Sequence, residues 1–164
     1  MKAIKFIENR DKLSNEISKY WNIISKQNVL PKMLKRTHDL KKLYTEILAL
    51  ADQRALVKLK LIAINMGYKK FSDLPAELNQ YDVFKLCELN EIKVKLQRIP
   101  TLNPTLKAKK GKKALTKSEE LTSNWIKARI QEIDIKIIKL QEKLTKFNEE
   151  TEFDDSEAPL ALAA

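Results

Sequence analysis

The chain has 164 residues, 43% hydrophobic and 33% charged, enough apolar material for one buried core or a core with an attached arm. Only 2 glycines are present, too few for the turns of an all-β fold or for a phosphate-cradling loop, and Cys87, the single cysteine, excludes an internal disulfide and a cysteine-based zinc site. A formal net charge of +10 favours a polyanionic partner: nucleic acid, an anionic membrane face or an acidic protein.

Charge interrupts the apolar residues between Met1 and Glu8, so the start does not read as a signal peptide. No uncharged stretch approaches the roughly 20 residues of a bilayer span. A cytoplasmic address fits. Lys, Glu, Leu and Ile dominate and favour long helices, so the expected fold is an all-α bundle.

Phe6, Leu13, Ile17, Tyr20 and Ile24 recur at helical spacing and predict an amphipathic helix from Ala3 to about Lys26, with Trp21 widening its stripe. Val29-Leu30-Pro31 breaks it. Pro31 lacks an amide proton and disfavours helix at Leu30, but it suits the first turn of a new helix. Met33, Thr37, Leu40, Tyr44, Ile47 and Ala51 then alternate spacings of four and three. The stripe drifts on through Ala55, Leu59, Ile62 and Met66 to Gly67, placed as a C-cap. One helix satisfies this pattern, as do two with a bend near Asp52. Residues 57–61 and 92–96 also alternate like strands, so a small antiparallel ribbon there is the alternative to helix.

Asp73 and Pro75 mark the next helix start, predicting Ala76 to Arg98 with Leu78, Leu86, Leu89, Ile92, Leu96 and Ile99 inward. Cys87 within that stretch is expected to be a buried free thiol. Pro100 and Pro104 end the helix. Thr116-Lys117-Ser118-Glu119 fits a capping box and predicts a helix onward from Glu119 to Glu150. Its seam of Ile126, Ile130, Ile133, Ile137, Leu140, Leu144 and Phe147 repeats every 3.5 residues, the coiled-coil period. Ile135 and Ile138 widen the apolar face, which favours a bundle over a two-stranded coil. The seam either packs internally or dimerises. The chain thus divides into a helical core over 1–100, a basic linker over 101–118, an amphipathic helix over 119–150 and an acidic tail over 151–164, where disorder is expected.

The basic charge concentrates in two places. Lys107, Lys109, Lys110, Lys112, Lys113 and Lys117 form a run without an acid. Lys32, Lys35, Arg36, Lys69 and Lys70 belong to a second segment with few acids. Lysines follow phosphates without fixed geometry and release counterions, so weak sequence specificity is expected. The alternative is a solubilising linker. Tyr44, Tyr68 and Phe71 are candidates for base stacking, although aromatics at helical spacing are more often core.

Catalytic, cofactor and metal sites are not expected. His38 is the only histidine and has no nucleophile placed with it. Gly111-Lys112-Lys113 lacks the earlier glycine and the hydroxyl residue of a phosphate loop. Glu132 and Asp134 diverge on a helix. At the end, Ala161-Leu162-Ala163-Ala164 resembles the terminus of the peptide tag that bacteria add to products of stalled ribosomes. The resemblance implies that Leu162, Ala163 and Ala164 act as a degradation signal, against a chance Ala/Leu end. Two functions follow: a non-enzymatic accessory factor that binds DNA or RNA through phosphates, or an adaptor or inhibitor that docks a protein through its helical seam.

Overall fold

The computed structural model describes residues 2–75, 78–102 and 117–152. Their order is α1 (Ala3–Gln27), β1 (Val29–Pro31), α2 (Leu40–Asn65), a 3-10 turn (Phe71–Asp73), α3 (Gln80–Gln97), β2 (Lys117–Glu119) and α4 (Ser123–Glu150). The fold is an all-α bundle with one short ribbon. The Ala-Leu-Ala-Ala end with its candidate signal, Lys107 to Lys113, and the residues of the expected helix start at 76 and 77 lie outside the described residues.

α1 forms where its stripe predicts and buries Leu13, Ile17, Trp21 and Ile24. The break after it is also as expected, but the restart is not. Pro31 does not open a helix; it ends β1, and its carbonyl accepts from Leu34 N at 2.9 Å in a turn. Leu30 offers no side chain to cap a helix begun at Pro31. Asp39 does: its carboxylate accepts from Lys42 N at 2.9 Å, and α2 starts at Leu40. Met33, placed inward by its spacing, is 95% exposed.

α2 runs unbroken through Asp52. It ends in a Schellman motif: Gly67, at φ +85°, donates to Ile64 O and Tyr68 N to Ala63 O, both at 3.0 Å. Residues 57–61 lie in α2 and 92–96 in α3, so the ribbon considered there does not form. In helical phase Val57 and Leu59 face inward together with Leu89, Ile92 and Leu96. A ribbon forms elsewhere. β1 pairs antiparallel with β2, with Val29 opposite Glu119, Leu30 opposite Ser118 and Pro31 opposite Lys117. Thr116 of the expected capping box lies outside the described residues, and Lys117–Glu119 form β2, so the helix does not start at Glu119. Thr122 caps α4 instead, its hydroxyl accepting from Trp125 N at 3.1 Å.

α1 packs along α2, α2 along α3 and α3 along α4. The C-terminal ends of α1 and α3 meet the N-terminal ends of α2 and α4 at the ribbon, so the helices alternate in direction. Cys87 points outward rather than into the core, because the inward stripe of α3 runs through Glu88, Leu89, Ile92 and Leu96. The α4 seam closes on the chain itself. Ile126, Ile133 and Ile137 are buried, and Ile130 and Leu140 pack on the same core. Leu144 and Phe147, past them, are half-buried, while Ile135 and Ile138 face away from the bundle. Lys93–Asp134 (2.6 Å) and Lys143–Asp82 (2.5 Å) fix the α3–α4 register.

Candidate nucleic-acid interface

The ribbon end is built around one amide. Asn28 follows α1 and is fully buried. Its Nδ2 donates to Pro100 O at 2.8 Å and Leu121 O at 2.9 Å, and its Oδ1 accepts from Leu121 N at 2.7 Å. One side chain thereby joins the end of α1, the end of α3 and the entry to α4. A buried amide that uses both donor hydrogens and its oxygen in this way fixes geometry as well as adding stability.

Arg36 finishes the joint. Its Nε donates to Gln27 O at 3.0 Å, and its Nη2 to Asn28 O at 2.7 Å and Ser118 O at 2.8 Å. Nη1 reaches Ser118 Oγ at 3.3 Å, and Glu120 stands 3.8 Å away. The guanidinium fork staples the end of α1 to β2 and has little capacity left for a phosphate. Glu120 Oε1 also accepts from Leu40 N at 3.0 Å, and Glu119 Oε2 accepts from Leu102 N at 2.8 Å. These acids close the mouth through which the chain leaves at Leu102 and returns at Lys117. The lysines 107, 109, 110, 112 and 113 lie on the connection between those two points.

Lys32, Lys35 and Lys117 are exposed beside this mouth. Among the described residues none of the three meets a carboxylate, and the same holds for Lys26, Lys41 and Lys42 at the same end. The nearby Asp39, Glu119 and Glu120 are held on backbone amides. Unpaired ammoniums crowded at one pole attract a polyanion and gain counterion release when they meet it.

Lys69 and Lys70 do not join this surface. They stand past the opposite end of α2, whose 26 residues span roughly 39 Å at ~1.5 Å each. The basic segment read from the sequence is therefore two poles. The stacking candidates separate as well. Tyr44 is a core residue, edge-on to Trp21 at 6.3 Å and to Trp125 at 5.2 Å. Burial drives its hydroxyl pKa up to about 12, with Glu132 adding to the rise and Arg129 opposing it. Tyr68 and Phe71 stay at the far pole, near Lys69 and Lys70.

One further constellation escaped sequence reasoning. Arg54 and Glu88 are buried partners. Arg54 Nε lies 2.9 and 3.0 Å from the two Glu88 oxygens, and its Nη2 bonds both Glu88 and Glu91, the latter at 2.7 Å. Lys58 Nζ adds a 2.8 Å bond to Glu88, and Ser14 Oγ accepts from Arg54 Nη1 at 3.3 Å. Burial acts against the guanidinium charge, but the bonds and charges of Glu88 and Glu91 outweigh it and raise the Arg54 pKa. The network ties α1, α2 and α3 together and leaves Glu88 neutralised. The i, i+4 spacing of Arg54 and Lys58 is legible in the sequence, but nothing in it names Glu88 as their partner.

His38 is exposed, with Nδ1 at 2.8 Å from Thr37 Oγ1. Glu132 pairs with Arg129 and Asp134 with Lys93, so the two carboxylates turn to different partners. Among the described residues no group of side chains could hold a metal ion, and no helix is long and apolar enough to cross a membrane. No protein-family profile, curated protein or solved structure matches the chain.

Proposed function

We propose that this chain is a non-enzymatic factor that binds nucleic acid through phosphate contacts at the ribbon end of its bundle. One observation carries the reading: the connection that holds Lys107, Lys109, Lys110, Lys112 and Lys113 in sequence leaves at Leu102 and returns at Lys117, at the pole where, among the described residues, Lys32, Lys35 and Lys117 meet no carboxylate. Across the ribbon, Lys32 and Lys35 stand beside Lys117, where the chain returns from that connection. Arg36 supports this surface from within by stapling the end of α1 to β2, and Lys69 and Lys70 stand outside it.

Lysine acetylation with and without duplex DNA, read by mass spectrometry, tests the location. Lys32, Lys35, Lys117 and the lysines from 107 to 113 are expected to be protected, with Lys69 and Lys70 unchanged. Protection confined to other lysines would place the interface elsewhere.

The second reading, a protein adaptor, draws support from Ile135 and Ile138, 55% and 52% exposed on the outer face of α4. It moves the docking surface to that face, because the seam from Ile126 to Leu140 packs against the chain's own core. Ile135→Lys with Ile138→Lys is expected to abolish protein capture under that reading and to leave DNA binding intact under the first.

A further inference from the structure

The pole opposite the ribbon holds a pocket of about 200 Å³ between α1, the end of α2 and the loop after it. Its walls carry three aromatic side chains, Phe6, Tyr68 and Phe71, and three lysines, Lys60, Lys69 and Lys70. Ala63 and Ile64 form the floor, and no carboxylate lines it. The three aromatics come from two parts of the chain, Phe6 from the first turn of α1 and the others from the segment after α2. The Schellman turn at Gly67 sends the loop back across the helix end, which brings Tyr68 to the pocket.

Phe71 is 46% exposed, so its ring is accessible from the pocket mouth. It presents a ring face to Lys60, whose ammonium lies 5.8 Å from the centroid. Asp73, the nearest acid in the loop, faces the turn itself: it accepts from Lys70 N at 3.2 Å and from Ser72 Oγ at 3.4 Å. Among the described residues the three ammoniums meet no carboxylate, so this pole carries uncompensated positive charge around an aromatic cavity.

A ligand matching both features has a flat ring to stack and an anionic group to meet the lysines. We propose that this pocket binds one nucleotide, its base stacked on Phe71 and Tyr68 and its phosphate held at the rim by Lys69 and Lys70. The volume admits a base ring and leaves sugar and phosphate outside, where the two lysines stand. Stacking accepts any base, because every base has a π face, so little base preference is expected. The site is separate from the ribbon-end surface, roughly 39 Å away along α2, and does not depend on it. The same chemistry is offered by a free mononucleotide and by the terminal nucleotide of a single strand.

Calorimetric titration of the full chain with AMP, adenosine, ribose 5-phosphate and a 5′-phosphorylated oligothymidylate tests the proposal. AMP, or the oligonucleotide alone if strand ends are the source, is expected to saturate one site. Adenosine and ribose 5-phosphate, each lacking one half of the recognition, bind at least about tenfold more weakly. Phe71→Leu is expected to weaken the nucleotide about tenfold, and Lys69→Gln with Lys70→Gln to remove its salt dependence. Both sites are exposed, and thermal unfolding checks that the variants remain folded. Lys32→Gln, Lys35→Gln and Lys117→Gln together leave this binding unchanged, while Phe71→Leu leaves duplex binding at the ribbon end unchanged. Absence of saturable binding by AMP and by the oligonucleotide overturns the proposal. So does binding that Phe71→Leu does not weaken.

Discussion

Replacing Asn28 with leucine keeps the branched shape of the side chain at the ribbon joint and removes every polar contact it makes. Leu121 is fully buried, so its N–H and its carbonyl lose partners at 2.7 and 2.9 Å with no water to replace them. Pro100 is exposed, and its carbonyl regains water. Two stranded backbone groups at about 1–3 kcal/mol each, offset by the extra apolar contact of leucine, give a loss of about 3 kcal/mol. In a chain of this size about 3 kcal/mol lowers Tm by roughly 6–12 °C. Urea denaturation followed by circular dichroism measures the first quantity and a thermal melt the second. The variant should also loosen the anchorage of Leu102 and Lys117, so amide exchange at Leu121 and in β2 should speed up before that of the central helices. A loss under about 0.5 kcal/mol with unchanged exchange at Leu121 would refute the view that this amide holds the joint together.

Three other outcomes follow from the core. Glu88→Ala removes the buried partner of the Arg54 guanidinium and leaves it only Glu91 and Ser14, so it is expected to destabilise the chain by about 3 kcal/mol; Arg54→Met with Glu88→Leu recovers most of that loss in chemical denaturation. Tyr44 stays protonated in the folded state to about pH 12 but ionises near 10 once unfolded. Between those values the unfolded chain binds fewer protons, so stability falls as pH rises, by about 3 kcal/mol in all. Denaturation at stepped alkaline pH measures the fall, which Tyr44→Phe is expected to remove; below pH 10 the two proteins share one pH dependence. Ile137→Asn places an amide in the core that α4 shares with α3, so it should lower stability by about 2–4 kcal/mol, read by urea titration, whether or not any partner is present.

The sequence disclosed those parts of the fold that depend on local periodicity. The α1 stripe, the α2 stripe from Leu40 onward, the Gly67 terminus and the α4 seam each repeat every three to four residues over several turns, and each became a helix. The failures came where two local signals compete and a distant segment decides. Pro31 suits a first helical turn, and Thr116 to Glu119 suits a capping box, yet both segments pair with each other across more than eighty residues of chain. No local pattern reveals that pairing. The buried Asn28 and the Arg54–Glu88 pair are hidden for the same reason: a polar residue buried by long-range bonding looks like any surface residue in the sequence. The candidate interface was half legible. Its lysines stood out by their density, but only the ribbon joint brings Lys32 and Lys35 beside Lys117 and sets Lys69 and Lys70 apart.

Fluorescence anisotropy of labelled duplex DNA, single-stranded DNA and RNA over a series of salt concentrations tests the central claim most directly. Affinity is expected to fall steeply with salt for at least one of the three. Lys32→Gln, Lys35→Gln and Lys117→Gln together should flatten the logarithmic slope on duplex DNA by about 0.9 for each phosphate no longer neutralised, and deletion of Lys107 to Lys113 should flatten it further. Absence of binding to all three at low salt, or a slope that neither change alters, would contradict a phosphate-binding surface at the ribbon end.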